Sequence, residues 1–174
     1  SPLQPNFRGG AFDSFITKLN PTGTAAVYST YLGGTEEDRG FRIALDNAGN
    51  VYVAGQTLSS NFPTVAARQP TFGGGSDAFV MKLTPAGAIS SSTFHGGSGI
   101  DGATGLAVSP AGDAVVTGFT TSTDFPLADP LQPIYNGGEF DAFVTGFNPA
   151  GTALSYSTYL GGGGYDTGFD IALD

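Results

Sequence analysis

The 174 residues include 28 glycines, and only 12% are charged, about half the usual share for a soluble protein. With 40% apolar residues, 14 Phe and 7 Tyr, there is ample material for a core, which argues against disorder from low hydrophobicity. Fifteen acidic against six basic residues leave a net charge of −9, which excludes the electrostatics of a nucleic-acid or anionic-membrane partner.

In chain order, the first ordered motif is Asp13-Ser14-Phe15-Ile16-Thr17-Lys18-Leu19-Asn20-Pro21-Thr22-Gly23, followed by Tyr28-Ser29-Thr30-Tyr31-Leu32-Gly33-Gly34. Next come Phe41 to Asp46 and Val51 to Gln56, two alternating segments joined by Asp46-Asn47-Ala48-Gly49-Asn50, a tight-turn composition with a glycine for positive φ. A long insert runs from about Thr57 to Ser76. The first motif then returns at Asp77 to Gly87 and again at Asp141 to Gly151, 64 residues apart each time. The second returns at Ser91 to Gly97 and Tyr156 to Gly162, and Ile43-Ala44-Leu45-Asp46 matches Leu106-Ala107-Val108-Ser109 and Ile171-Ala172-Leu173-Asp174. Leu3-Gln4-Pro5, Arg68-Gln69-Pro70 and Leu131-Gln132-Pro133 occupy equivalent places. Each repeat therefore predicts four short strands: Phe41 to Asp46, Val51 to Gln56, Asp77 to Leu83 and Ile89 to Phe94. No stretch carries a helical stripe. A four-stranded antiparallel unit of this size, repeated, is the signature of a β-propeller blade.

The combination of Asp-Ala-Phe-Val, Asn-Pro-Ala-Gly, Tyr-Ser-Thr-Tyr-Leu-Gly-Gly and Ile-Ala-Leu-Asp-x-Ala-Gly-Asn-Val-Tyr-Val-Ala-Gly resembles the bacterial SBBP β-propeller repeat. The Asp46 to Val53 stretch also resembles the inner hairpin of NHL-type propellers, which by analogy makes Phe41 to Asp46 strand A, nearest the axis, followed outward by B, C and D. The resemblance implies an all-β propeller in a secreted, periplasmic or cell-surface protein, with no enzyme activity and no catalytic residues. On this scheme residues 1–40 are a linker plus strands C and D, 41–103 and 104–167 are complete blades, and 168–174 are a lone strand A. About 2.7 repeats are too few to close a ring of four to eight blades. The expectation is a segment of a larger propeller, or one completed by another chain. No apolar run is long enough to span a bilayer, and any export signal is expected outside this sequence.

Alternating strands place the A–B and C–D turns on one face and the long inserts and Gly-Gly loops on the other. Elaborated loops on a rigid scaffold concentrate binding. Candidate binding residues on the loop-rich face are Glu36, Glu37, Asp38, Arg39, Asp101, Tyr165 and Asp166. Expected partners are a protein or neighbouring blades of a larger protein, with a glycan as the alternative.

One Asp recurs in every Gly-Gly loop (Asp38, Asp101, Asp166), which suggests either a calcium ligand or a turn cap. Each loop offers a single repeated carboxylate, which favours the cap and leaves no metal or other cofactor assigned. Asp13, Asp77 and Asp141 also repeat, which points to a shared structural task, since catalysis needs one unlike constellation. Cysteine is absent, so disulfides and thiolate chemistry are excluded. The lone His95 stands where other copies have Leu32 and Leu160 and reads as an outer-strand substitution. Phe62-Pro63 and Phe125-Pro126 are expected to anchor the inserts. Arg42, Gly105 and Asp170 alternate at one strand A position, read as a solvated edge. Two rival readings remain: a glycan-acting enzyme with Glu36, Glu37 and Asp170 as its unrepeated acids, and a calcium-stiffened adhesion module.

Overall fold

The computed structural model describes residues 2–174; Ser1, assigned to the N-terminal linker, lies outside the described residues. The described chain has ten strands and no helix: β1 Ser14–Leu19, β2 Ala26–Leu32, β3 Asp38–Leu45, β4 Val51–Thr57, β5 Asp77–Leu83, β6 Ile89–His95, β7 Asp101–Val108, β8 Ala114–Thr120, β9 Asp141–Phe147 and β10 Leu154–Leu160. They form three antiparallel sheets, β1-β2, β3-β4-β5-β6 and β7-β8-β9-β10. The last two are four-stranded meanders in the sequence order A, B, C, D.

Strand formation follows from period-two patterning and from where the glycines stand. Gly49 and Gly87 adopt φ of 78° and 88° in the A–B and C–D turns, a region that a Cβ disfavours. Gly55 and Gly118 in the B strands pair with Phe79 and Phe143 in the C strands. A Cβ on Gly55 would overlap the Arg39 carbonyl oxygen and lie 2.8 Å from the Phe79 ring, so this position must be bare for A, B and C to pack. Phe41 and Thr104 are extra residues in their A strands, where the register shifts as in a β-bulge.

Two apolar layers lie between consecutive sheets. Ile16, Tyr28 and Leu32 of the first sheet pack with Val51, Val53, Phe79 and Met81 of the second. The opposite face of the second sheet, Tyr52, Ala54, Ala78 and Val80, packs with Leu106, Val116, Phe143 and Tyr159 of the third. Cross-sheet polar ties accompany them: Lys18 Nζ donates to the Pro85 carbonyl (3.0 Å), Lys82 Nζ to that of Pro149 (3.1 Å), and the Tyr52 hydroxyl to that of Gly112 (3.0 Å).

Two expectations about the inner strands need correction. The A strands begin at Asp38 and Asp101, three residues earlier than strand patterning placed the first of them, because the main chain ahead of Phe41 already pairs with β4. Residues 168–174 form no strand. Their first residues still dock on the third sheet, through Gly168 N to the Gly118 carbonyl (3.0 Å), but no strand B lies beside them to complete a ladder.

Candidate loop-rich face

The functional candidates lie in the D–A loops, residues 33–38, 96–101 and 161–166, and each loop is built on the same clamp. Asp38 Oδ2 accepts the Gly34 amide (2.6 Å), Asp101 Oδ2 that of Gly97 (2.8 Å) and Asp166 Oδ2 that of Gly162 (2.7 Å). In the first two loops the carboxylate is also held by strand B and the start of the insert. Thr57 and Ser59 donate to Asp38, and Thr120 and Ser122 donate to Asp101. Asn61 Oδ1 accepts the Thr35 amide (3.0 Å) and Asp124 Oδ1 that of Ser98 (2.8 Å), stitching each loop to the insert that follows it.

Asp38 and Asp101 are therefore buried caps, not surface carboxylates, which corrects their place among the binding candidates. Burial raises both carboxyl pKa values, opposed by these hydroxyl and amide donors. Glu36 and Arg39 remain exposed, and Glu37, half-buried, pairs with Arg39, whose guanidinium lies 5.3 Å from the Phe12 ring centroid. Tyr165 is exposed and stacks edge-on against Phe140 at 5.4 Å, while Asp166 is half-buried. Ile100, also exposed, holds the place of Glu37 and Tyr165 directly before the capping Asp. Sequence reading missed it because a single apolar residue between Gly99 and Asp101 signals nothing by itself.

A second set of carboxylates stands behind each loop. Asp13, Asp77 and Asp141 turn Oδ2 to main-chain amides of the preceding segment: Arg8 (2.8 Å), Gly73 (2.9 Å) and Asn136 (2.9 Å). Oδ1 of all three is buried without a partner. At Gly96 the added Cβ would sit 2.6 Å from Asp101 Oδ2 and 2.7 Å from Asp77 Oδ1, so the two carboxylates flank one glycine. Burial, reinforced by the negative charges of Asp101 and Asp124, pushes Asp77 up to about 7.

His95 is fully buried between the second and third sheets, which replaces its reading as a tolerated outer-strand position. Nε2 lies 2.8 Å from Thr145 Oγ1, and Phe125, Phe143 and Phe147 surround the ring edge-on at 4.7, 5.8 and 5.2 Å. Burial, with the positive charge of Arg68, lowers its pKa to about 3, so the ring is neutral. Phe62 and Phe125 anchor their inserts, stacking on Phe79 at 4.5 Å and Phe143 at 4.6 Å. Arg42 is tied across the inner strands, its Nη2 donating to the Phe169 carbonyl at 3.0 Å. Asp170 Oδ1 accepts the Ile171 amide at 2.9 Å.

The second and third sheets are antiparallel four-stranded units stacked face to face with their A strands in corresponding positions, an all-β arrangement consistent with β-propeller repeats. Residues 27–63 match the family model of the SBBP beta-propeller repeat. The match runs from β2 through β3 and β4 to the Phe62 anchor, and so takes in the first D–A loop whole. No curated protein matches the chain.

Proposed function

We propose that these repeats are a non-catalytic segment of a larger propeller in an exported bacterial protein, and that the segment is a scaffold presenting its loop-rich face to a protein partner. One observation carries this reading. The three D–A loops share one backbone clamp, while the residue before the capping Asp changes from Glu37 to Ile100 to Tyr165. A constant support with varied tips, exposed at Ile100 and Tyr165 and half-buried at Glu37, is what recognition by a rigid scaffold requires. The acidic, Lys-poor, Gly/Ser/Thr-rich composition supports an exported setting. About 2.7 repeats, with apolar sheet faces uncovered, support a ring completed by further blades.

The test is binding to an array of purified extracellular proteins and bacterial polysaccharides, using the native chain and two multiple variants. Glu36→Ala/Arg39→Ala/Ile100→Ser/Tyr165→Ala changes the loop-rich face, and Asn47→Ala/Pro85→Ala/Pro149→Ala changes the tight-turn face. A protein ligand lost only with the loop variant is the expected result. Loss only with the tight-turn variant would sink the face assignment. Polysaccharide turnover that vanishes in Glu36→Ala, Glu37→Ala or Asp170→Ala would replace the scaffold with an enzyme. A rise in Tm with millimolar calcium over EDTA would favour the calcium-stiffened module.

A further inference from the structure

An asparagine side chain is open to attack by the main-chain nitrogen that follows it when that nitrogen is free of hydrogen bonds and unshielded. Glycine in the next position has no Cβ to block the approach. Asn136-Gly137 is the one Asn-Gly pair in the sequence. Asn136 is exposed, and the pair lies outside every strand, in the insert just before β9. Gly137 sits at φ 93°, an added Cβ there would meet nothing within 4 Å, and among the described residues its amide donates to no protein acceptor. The Asn136 side chain is held by one exposed bond, Nδ2 to the Gly161 carbonyl at 3.0 Å. Such a bond opens cheaply, because water replaces it.

Comparable pairs elsewhere in the chain are closed to this chemistry. Asp101-Gly102 lies within β7, and Asp101 is fully buried with hydroxyl or amide donors on both carboxylate oxygens. Asn20 and Asn148 precede proline, which has no amide hydrogen to lose, and their Oδ1 atoms accept the amides of Thr24 and Thr152. Asn61 precedes the buried anchor Phe62. At the place of Asn136 the first two repeats have Arg8 and Gly73, whose amides donate to Asp13 and Asp77, so the third repeat alone carries the reactive pair.

We propose that Asn136 is a self-modifying site, where the Gly137 nitrogen displaces ammonia from the side-chain amide and the product releases the third D–A loop from the insert. Gly137 N loses its proton to a water-borne base and bonds to Asn136 Cγ; the Cγ–Nδ2 bond breaks, and ammonia leaves with a proton returned from water. Water then opens the five-membered imide at either carbonyl, leaving aspartate or isoaspartate. One water is consumed, one ammonia is released and no redox partner is needed. The site goes beyond the loop-face reading and does not depend on it. Its consequence follows from how the insert holds the loop. Besides the Asn136–Gly161 bond, Glu139 N donates to the Gly164 carbonyl (3.2 Å), Asp166 N donates to the Phe140 carbonyl (2.9 Å), and Phe140 stacks on Tyr165. Either product replaces the Nδ2 donor with a carboxylate facing the Gly161 carbonyl. It also adds a negative charge beside Asp141, whose Oδ2 accepts the Asn136 amide at 2.9 Å. Acceptor against acceptor and charge against like charge open this end of the seam.

The experiment ages the native chain at mildly alkaline pH, folded and, in parallel, unfolded in urea, and maps its peptides by mass spectrometry with isoaspartate counted by enzymatic methyl transfer. Conversion at residue 136 is expected ahead of every other asparagine in both samples, with ammonia released in equal amount. Asn136→Gln, whose longer side chain closes the ring far more slowly, should abolish it. Asn136→Asp should speed hydrogen exchange at the Glu139 and Asp166 amides about fivefold, the effect of losing one exposed hydrogen bond, and leave the Thr121 amide at the second D–A loop unchanged. Conversion in the unfolded sample alone, or earlier conversion of another asparagine in the folded chain, would overturn the site. Native exchange rates at Glu139 and Asp166 in Asn136→Asp would overturn the release of the loop.

Discussion

At the residue scale, the buried carboxylates carry most of the testable chemistry. Asp101 accepts from Thr120, Ser122 and Gly97 while fully buried, so Asp101→Asn turns an amide donor toward hydroxyl and amide donors. Leaving one or two buried polar groups unpaired costs about 1–3 kcal/mol each, and equilibrium unfolding in urea should show a loss of about 3 kcal/mol. Asp77 and His95 bias stability in opposite directions with pH. The folded-state value of Asp77, about 7, lies above its ordinary 3.8, so its contribution is fully present below 3.8 and is lost as pH rises through 7. His95 is lowered from 6.5 to about 3, so it costs stability as pH falls below 6.5. Asp77→Asn should therefore remove a fall in Tm as pH rises from 3.8 to about 7, and His95→Leu a fall in Tm as pH drops from 6.5 to about 3. The second change restores the residue type of Leu32 and Leu160, and Thr145 keeps its partner Ser157 at 2.8 Å, so stability at pH 7 should move by less than about 1 kcal/mol.

At the scale of strands and loops, the inserts depend on single aromatic anchors. Phe125 is buried against Phe143 and receives support from Tyr159, whose hydroxyl accepts the Phe125 amide at 3.2 Å and donates to the Ser122 carbonyl at 2.7 Å. Phe125→Ala should cost about 3–5 kcal/mol, by urea unfolding, and expose the 121–140 insert to limited proteolysis before the sheet opens. Much of this level was legible in the sequence. Alternation and Gly-bearing turns located the four strands of each repeat, and the repeated Phe-Pro located the anchors. Boundaries were missed where backbone pairing outruns side-chain patterning: Asp38 to Gly40 carry no apolar alternation, yet they pair with β4. The capping role of the loop Asp was readable from its place after two glycines, whereas its burial was not. That burial depends on Thr57, Ser59, Thr120 and Ser122, hydroxyls 19 and 21 residues away along the chain. His95 failed for a similar reason, because the Phe cluster that encloses it comes from the next repeat.

At the scale of the whole molecule, the three sheets stack in a line, and each contacts only its neighbours. Stability in such an array is approximately a sum of unit and interface contributions, so it is unevenly distributed. The second sheet is covered on both faces by the two apolar layers, whereas the first has only two strands and one covered face. Its other face exposes Phe15 and Leu19, and an isolated two-stranded ribbon is marginal in water. Opening β1-β2 from β3-β4 breaks one layer and the Lys18–Pro85 tie. Opening the third sheet breaks a layer that includes Phe143, Phe147 and Tyr159, together with the buried contacts of His95. Native-state hydrogen exchange should therefore resolve two tiers. Amides of β1 and β2 exchange through a low-energy sub-global opening whose denaturant dependence is smaller than that of global unfolding, whereas those of β5, β8 and β9 exchange only with global unfolding. Ile16→Ala, in the first layer, should lower both tiers because every opening breaks that layer, whereas Val116→Ala, in the layer that survives the first opening, should lower the protection of β9 and leave that of β2 unchanged. A single tier spanning all three sheets would show instead that the blades unfold as one cooperative unit.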